Sequence, residues 1–226
     1  MHLRLLITSL VLGASPVSAA TIAWVDWTDS TSNSATGVIN LGSDSIDVTF
    51  TNSVSNNAVQ TDGGTFYWTT PSTYESEGEL GVENAPSTND IVQLGSGGTR
   101  TITLSETVDN VYFAYVSWNG NSGEFSTEIE ILSEGTGYWG TGFGFYEGAK
   151  YWFNGEAHGT LLLSGPLDEF SFTSVSEFWH GFTIGVASIS GDTPESPDPI
   201  PVPAPALLLL SGIAGLIGIR RRTATR

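Results

Sequence analysis

Apolar and polar residues alternate in short runs along most of this chain. No extended stretch has the 3.6-residue period of an amphipathic helix. In residues 45–51, SIDVTFT, the side chains of Ile46, Val48 and Phe50 fall on one face of an extended strand. Comparable runs cover residues 100–106, 111–118, 123–132, 158–165, 169–175 and 180–189. Because Gly, Asn, Ser and Asp separate these runs, the pattern predicts an antiparallel β-sandwich, of jelly-roll type.

The strand pattern begins after residue 20 and ends near residue 190, which predicts one β-domain over residues 21–190. A helix over residues 72–83 is not supported by the pattern. We expect Trp24, Trp27 and Trp179 to help pair the first and last strands.

The first 20 residues, MHLRLLITSLVLGASPVSAA, have the organisation of a secretory signal peptide. Arg4 precedes an apolar stretch over residues 5–12, and small residues follow it. The sequence predicts cleavage after Ala20, with cleavage after Ala19 as the alternative.

The other end of the chain changes composition twice. Residues 191–199 form a Pro-rich linker, and residues 206–219 carry no charge. As a helix, residues 206–219 would be about 21 Å long, shorter than the ~30 Å hydrocarbon core of a membrane. This is a marginal transmembrane helix. The basic tail, residues 220–226, would stay in the cytoplasm by the positive-inside rule.

A Pro-rich motif, a short apolar helix and an arginine cluster, in this order, resemble a PEP-CTERM sorting segment of the VPLPA-CTERM variant. The resemblance covers residues 200–226. The motif residues are Ile200, Pro201, Val202, Pro203 and Ala204, and the basic stop is Arg220, Arg221 and Arg222. The resemblance implies processing by an exosortase-type enzyme, a transient membrane tether through the helix, and final delivery to the cell surface or the extracellular matrix of a biofilm. The opening TIAWVDWT and the segment EFWHGFTIGV, residues 177–186, are similar to uncharacterised exported PEP-CTERM proteins.

The charge distribution limits the partners of the β-domain. All 24 Asp and Glu residues lie between Asp26 and Asp198, where Arg100 and Lys150 are the only Arg or Lys residues. Such a surface repels nucleic-acid phosphates and anionic lipids, so we expect no nucleic-acid partner. The chain has no cysteine, which excludes disulfides and thiolate chemistry.

Sequence motifs for catalysis are absent. The chain has neither a G-x-S-x-G nucleophile elbow nor an H-E-x-x-H zinc motif. We interpret His180 as a strand-end residue rather than a general base. A glycosidase needs two carboxylates, but among 24 many pairs can be chosen. We therefore predict no catalytic residues and no required cofactor.

Clustered acidic residues leave room for a structural Ca²⁺ ion, because calcium prefers oxygen ligands. The candidates are Glu75, Glu77, Glu79 and Glu83, the pair Asp26 and Asp29, and the pair Asp44 and Asp47. No EF-hand or nonapeptide calcium pattern supports them.

The densest aromatic stretch, YWGTGFGFYEGAKYWFNG, covers residues 138–155. We expect its rings to fill the core, as aromatic residues mostly do. The alternative is a glycan platform formed by Tyr138, Trp139, Tyr151 and Trp152.

The sequence thus predicts a non-enzymatic exported protein with a structural or carbohydrate-binding role and a polysaccharide partner. One alternative is a polysaccharide-active hydrolase or lyase, which a cleft containing two carboxylates in different environments would favour. The other is a permanently membrane-anchored surface protein.

Overall fold

A computed structural model describes residues 19–54 and 57–188 of the chain. Residues 1–18 and 189–226 lie outside the described residues, and with them most of the predicted signal peptide, the linker, the sorting motif Ile200–Ala204 and the basic stop Arg220–Arg222. Among the residues that the structure describes, no helix has the length and apolar character needed to cross a membrane.

Within the described ranges the regular elements are thirteen strands and one 3-10 helix. The strands are β1 (Ala23–Trp24), β2 (Asp26–Ser30), β3 (Ser34–Leu41), β4 (Asp44–Asn52), β5 (Asn57–Gln60), β6 (Ile91–Leu94), β7 (Gly98–Asn119), β8 (Ser122–Glu124), β9 (Ile129–Glu134), β10 (Thr136–Gly137), β11 (Gly140–Glu147), β12 (Lys150–Ser174) and β13 (His180–Val186). The 3-10 helix covers Pro71–Thr73, so residues 72–83 do not form the longer helix that the pattern had already disfavoured.

The strands form one antiparallel sheet, which confirms the all-β, antiparallel prediction. Its main order is β10-β11-β12-β7-β13-β6-β5. Strand β4 pairs with the first half of β7, β3 pairs with β4, and β2 pairs with β3. Strands β8 and β9 pair with β12. Every strand-to-strand pairing in this sheet is antiparallel.

The two longest strands, β7 and β12, pair with each other along most of their length and so connect the two parts of the sheet. Residues 98–103 of β7 pair with the end of β12, and residues 110–119 pair with its middle, with register shifts between Ser164 and Glu169. Rings from the two halves meet in the core. Phe172 lies 5.3 Å from Phe113, and Phe50 of β4 lies 5.7 Å from Phe182 of β13, between ring centroids. The sheet therefore folds over a single main core.

Trp118 lies at the centre of that core beneath the second half of the sheet. It is fully buried, its Nε1 donates to Gly181 O over 3.0 Å, and its ring contacts Phe113, Tyr151 and Phe172. Close ring contacts of this kind add to the stabilisation that burial of apolar surface gives. Trp118 is thus a main support of the end of β7.

The first and last strands of the described domain pair with each other, as the sequence predicted. Ala23 faces Val186 and Trp24 faces Gly185 in the β1–β13 ladder. Just before β1, Ala20 N–H donates to Gly81 O over 3.0 Å. Cleavage after Ala19 would preserve this bond as a backbone bridge, whereas cleavage after Ala20 would remove it.

Candidate functional site

A surface cleft of about 650 Å³ opens at the end of β7, beside β12 and the segment that precedes β13. Its lining residues are Tyr67, Ser117, Asn119, Trp139, Glu156, Glu177, Phe178 and Trp179. They come from well-separated parts of the sequence, and the antiparallel pairing brings them together. Glu156 of β12 faces Asn119 of β7, which places the two side chains on one side of the sheet. We call this depression the cleft.

One wall of the cleft is aromatic. The ring centroid of Trp179 lies 4.9 Å from that of Tyr67 and 4.6 Å from that of Trp139, and Tyr138 packs 4.9 Å from Trp139. Trp139 nevertheless keeps 47% of its surface exposed. Its neighbours therefore fix the ring while one part of it stays open to a ligand.

The floor of the cleft is polar and anchors Glu156. Asn119 Nδ2 donates to Glu156 Oε1 over 2.6 Å, and the Ser117 hydroxyl donates to the other carboxylate oxygen. Hydrogen bonds to a charged acceptor are stronger than those between neutral groups. Glu156 is thus held in one orientation before any ligand arrives.

Glu177 is the second carboxyl group of the cleft. The backbone N–H of Asn119 donates to Glu177 Oε2 over 2.8 Å, and the side-chain amide of Asn121 donates to Oε1. Burial raises the pKa of Glu177 to about 7, and the charge of Glu156 acts in the same direction. Near neutral pH, Glu177 is therefore in part a neutral acid beside a second carboxyl group.

A buried polar layer lies behind Glu177. His180 Nδ1 is 3.1 Å from Glu177 Oε1, and His180 Nε2 is 3.4 Å from the hydroxyl of Ser174. Burial lowers the pKa of His180 to about 3, and the nearby charge of Arg100 contributes. The contact between His180 and Glu177 is therefore not an ion pair at neutral pH, because the imidazole is uncharged.

Arg100 is the cation of this layer, and it is fully buried. Its guanidinium donates to Ser174 Oγ over 2.8 Å, to Gly98 O over 2.6 Å, and to the carbonyl oxygen of Ser96. Burial lowers the pKa of its guanidinium group. These hydrogen bonds direct Arg100 to hydroxyl and carbonyl oxygens, so it does not neutralise Glu156 or Glu177 by a direct contact.

The backbone at Ser117, in the floor of the cleft, is strained. Its φ of 55° lies in the left-handed region, which is costly for a residue with a side chain. Its N–H donates to Nδ1 of buried His158 over 3.3 Å, and burial lowers the pKa of His158 to about 4. Such strain persists where the surroundings impose it, and it is common at functional sites.

The structure divides the predicted glycan platform among three environments. Tyr138 and Trp139 belong to the aromatic wall of the cleft. Tyr151 is completely buried and packs against Trp118, so it cannot contact a sugar, which corrects its place in the platform. Trp152 is exposed elsewhere, because consecutive residues of a strand point to opposite faces.

Trp152 belongs to the outer face of the β11–β12 hairpin. In the ladder it lies directly opposite Phe145, and Phe143 lies two residues from Phe145 on the same face. All three rings are substantially exposed. We call Phe143, Phe145 and Trp152 the hairpin face. The expectation that the stretch 138–155 fills the core is therefore wrong for these rings and holds for Tyr151 and Phe153.

Glycines on the inner side of β11 explain why Phe143 and Phe145 point outward. A Cβ at Gly142 would come within 2.5 Å of Asn154 O, and one at Gly144 within 2.5 Å of the Phe153 ring. Because a Cβ does not fit against the buried layer at these two positions, Phe143 and Phe145 occupy the opposite, solvent-facing side of the strand.

The candidate calcium ligands do not form a metal site in the described part of the chain. Within residues 19–54 and 57–188, no three Asp, Glu or His side chains are arranged to hold a metal ion. Glu75, Glu77 and Glu83 line a separate depression of about 580 Å³. Glu83 accepts a hydrogen bond from the Thr21 hydroxyl over 2.5 Å, and Glu75 accepts one from Ala85 N–H over 3.4 Å.

Sequence reasoning did not identify Ser117, Asn119, Glu156 or Glu177 as site residues. The segment EFWHGFTIGV, which contains Glu177 and Trp179, stood out only through its resemblance to other exported proteins. A pair of glutamates 21 positions apart cannot be chosen among 24 carboxylates without the strand register.

No protein-family model matches this chain, and neither a curated protein nor a solved structure does so. The chemistry of the cleft therefore has to be inferred from its own residues: a fixed aromatic wall, a hydrogen-bonding floor and two carboxyl groups.

Proposed function

We propose that this protein is an exported, non-enzymatic surface or matrix protein whose β-domain binds a saccharide in the cleft. The observation that carries the proposal is the aromatic wall of Trp139 and Trp179 beside the polar floor of Asn119, Glu156 and Glu177. A sugar ring has an apolar face and a polar rim. A concave site with aromatic surface and a few placed polar groups fits both.

The polar groups of the floor suit hydroxyl ligands. Carboxylate oxygens accept hydrogen bonds, and the amide of Asn119 both donates and accepts them. Their present hydrogen bonds hold the side chains of Ser117, Asn119 and Glu156 in place, which lowers the entropy cost of binding.

The charge of the cleft narrows the class of saccharide. Glu156 and Glu177 both line it, whereas Arg100, in the layer behind Glu177, is fully buried. An anionic polysaccharide would meet like charges, at a cost in free energy. We therefore propose a neutral or amino-group-bearing polysaccharide as the ligand.

The ends of the chain supply the delivery part of the proposal. The signal peptide would export the β-domain, for which we favour a jelly-roll sandwich, and an exosortase-type enzyme would act near Ile200–Ala204. The short helix over residues 206–219 would be a transient tether. Mass spectrometry of the mature protein tests this part. Retention of residues 206–226 would instead support the permanently anchored alternative.

A polysaccharide array tests the binding part. The panel contains a β-1,4-glucan, a mannan, chitosan and anionic alginate, probed with the native protein and with two matched variants. Trp139→Ala removes a ring of the cleft wall, whereas Trp152→Ala removes a ring of similar exposure, 44%, from the hairpin face.

We expect Trp139→Ala to weaken retention of a non-anionic polysaccharide by about 30-fold, the effect of losing a contact worth about 2 kcal/mol. Trp152→Ala should leave retention unchanged. A native protein that retains none of the panel, or that loses binding only with Trp152→Ala, would reject the cleft as a saccharide site.

A hydrolase is the second candidate, favoured by one specific observation. Glu177, with its pKa raised to about 7, is suited to act as a general acid, and Glu156 lies in the same cleft as a base or nucleophile. Incubation of each retained polysaccharide with native protein and with Glu177→Gln, followed by a reducing-end assay, distinguishes the candidates. New reducing ends formed by the native protein alone would establish hydrolysis.

A further inference from the structure

Phe178 is fully exposed at the top of a ridge formed by Glu177, Phe178 and Trp179. The cleft lies on one side of this ridge. On the other side is a second depression of about 440 Å³, and the three ridge residues line both. The remaining lining residues of the second depression are Ala58, Gln93, Leu94 and Gly95. The cleft and the second depression thus share one wall, and the exposed ring of Phe178 lies at its top.

The exposure of Phe178 is imposed by its neighbours. Glu177 N–H donates to Gly95 O over 3.0 Å, and its carboxyl group accepts from Asn119 and Asn121. On the other side, Trp179 Nε1 donates to Gln93 Oε1 over 2.9 Å, while its ring packs on Trp139. With both flanking residues fixed, the Phe178 ring projects from an anchored segment into solvent.

An apolar ring in this position is unfavourable without a ligand. A Phe side chain left in water forgoes the favourable free energy of burying its apolar surface. Scattered exposed apolar residues are common on protein surfaces. Phe178 differs from these because it stands between two depressions and borders both, at the edge of an aromatic and hydrogen-bonding wall.

We infer that the bound saccharide is an internal segment of a polysaccharide that crosses this ridge, with sugar units in both depressions and one unit stacked on Phe178. This inference rests on the saccharide-binding function proposed above. Each depression has a volume in the range of small-molecule sites, so each accommodates a short piece of chain rather than a long one.

Two consequences follow for recognition. A chain end is not required, because both depressions open at the surface on either side of the ridge. Affinity should rise with oligomer length until the oligomer reaches across Phe178, since the second set of contacts then forms at a high effective concentration.

The test measures binding of oligomers with two and six sugar units by calorimetry. They are prepared from the β-1,4-glucan, mannan or chitosan that the array shows to be retained. The proteins are native, Phe178→Ala, and Phe145→Ala as a matched control that removes an exposed ring of the hairpin face. Because Phe178 and Phe145 are both largely in solvent, neither substitution should affect folding, and circular dichroism checks this.

We expect the native protein to bind the six-unit oligomer at least tenfold more tightly than the two-unit oligomer. Phe178→Ala should remove about tenfold of the six-unit affinity, while the two-unit affinity and the Phe145→Ala values stay within twofold of native. Equal affinity for both lengths, or equal weakening of both by Phe178→Ala, would overturn the ridge-crossing inference and leave saccharide binding intact. A native protein that binds no oligomer and no array polysaccharide would reject the proposed function itself.

Discussion

The cleft wall and the hairpin face are built from the same kinds of residue but are supported in different ways. In the cleft, the rings of Trp139 and Trp179 pack against each other and lie beside polar side chains that are held by hydrogen bonds. On the hairpin face, Phe143 and Phe145 meet edge to face, and Trp152 lies opposite Phe145 on an open strand surface. Both regions expose aromatic surface, but only the cleft surrounds that surface with concavity and fixed hydrogen-bonding groups.

The difference shows that exposure alone is a poor guide to a binding site. In the cleft, Ser117 has a left-handed backbone and Glu177 has a raised pKa, and the buried imidazoles of His158 and His180 lie directly behind these two residues. These features cost stability, and they occur together under one surface. The hairpin face lies over a buried layer of Tyr151 and Phe153.

The largest expected effect concerns the support below the cleft. Trp118→Ala should lower the free energy of unfolding by about 3–5 kcal/mol, because it leaves a large cavity among packed rings. Trp152→Ala, on the hairpin face, should cost less than about 1 kcal/mol. Denaturant unfolding at pH 7 measures both. If the two variants lost similar amounts of unfolding free energy, the cleft would not be supported by its core more strongly than the hairpin face is.

Acidification should lower the free energy of unfolding, because two imidazoles are buried behind the cleft. His158 and His180 have folded pKa values of about 4 and about 3, below the ordinary 6.5, so the unfolded chain takes up protons first as the pH falls. Their stabilising contribution is complete above pH 6.5 and is lost as the pH falls towards 3. We expect a net loss of about 1–2 kcal/mol between pH 7 and pH 5. Because Glu177 titrates with the opposite effect, the decisive measurement uses the Glu177→Gln variant: constant stability of that variant over this interval would contradict burial of neutral imidazoles.

Glu177 should oppose this trend. Its folded pKa of about 7 exceeds the ordinary 4.5, so its contribution is complete below pH 4.5 and is lost as the pH rises through 7. Glu177→Gln removes this term, and its loss of stability between pH 7 and pH 5 should exceed that of the native protein by on the order of 1 kcal/mol. Glu147→Gln, at an exposed position next to the hairpin face, is the matched control for the loss of a carboxyl group. Identical curves for native and Glu177→Gln would show that Glu177 is not a buried acid.

Ser117 offers the smallest of these tests. Ser117→Ala and Ser117→Gly both remove the hydroxyl that donates to Glu156, but only alanine keeps a side chain at φ 55°. The glycine variant should be more stable by about 0.5–1 kcal/mol, since relief of the left-handed strain outweighs its greater unfolded-state entropy. A more stable alanine variant would show that the backbone there is not strained.

Much of the strand content could be predicted from the sequence. The runs at residues 45–51 and 180–189 match β4 and β13, and the first and last strands pair as expected. The runs at 100–106 and 111–118 are parts of one strand, β7, because the polar residues between them pair only irregularly without ending the strand. The run at 123–132 divides into β8 and β9. Local alternation specifies a strand, but it does not specify where a long strand bends.

The cleft could be predicted only in part. Trp139 and Tyr138 were proposed from local aromatic density, and they do line or support its wall. The glutamates could not be identified, because their importance depends on burial and on Asn119, a residue of a different strand. Tyr151 was placed with the wrong group, since the adjacent Trp152 takes the exposed position and alternation turns Tyr151 into the core.

The sequence by itself determined that the domain is an antiparallel β structure, rich in carboxylates and poor in cations, because alternation and composition are local properties. It also supplied the motifs at the two ends from which export and sorting are proposed. The tertiary structure alone decided which aromatic rings support a cleft, which lie on an open face and which fill the core. It also decided that Glu156 and Glu177 share one site. The reason is that strand register sets both contacts and burial, and register depends on pairings between residues far apart in the chain.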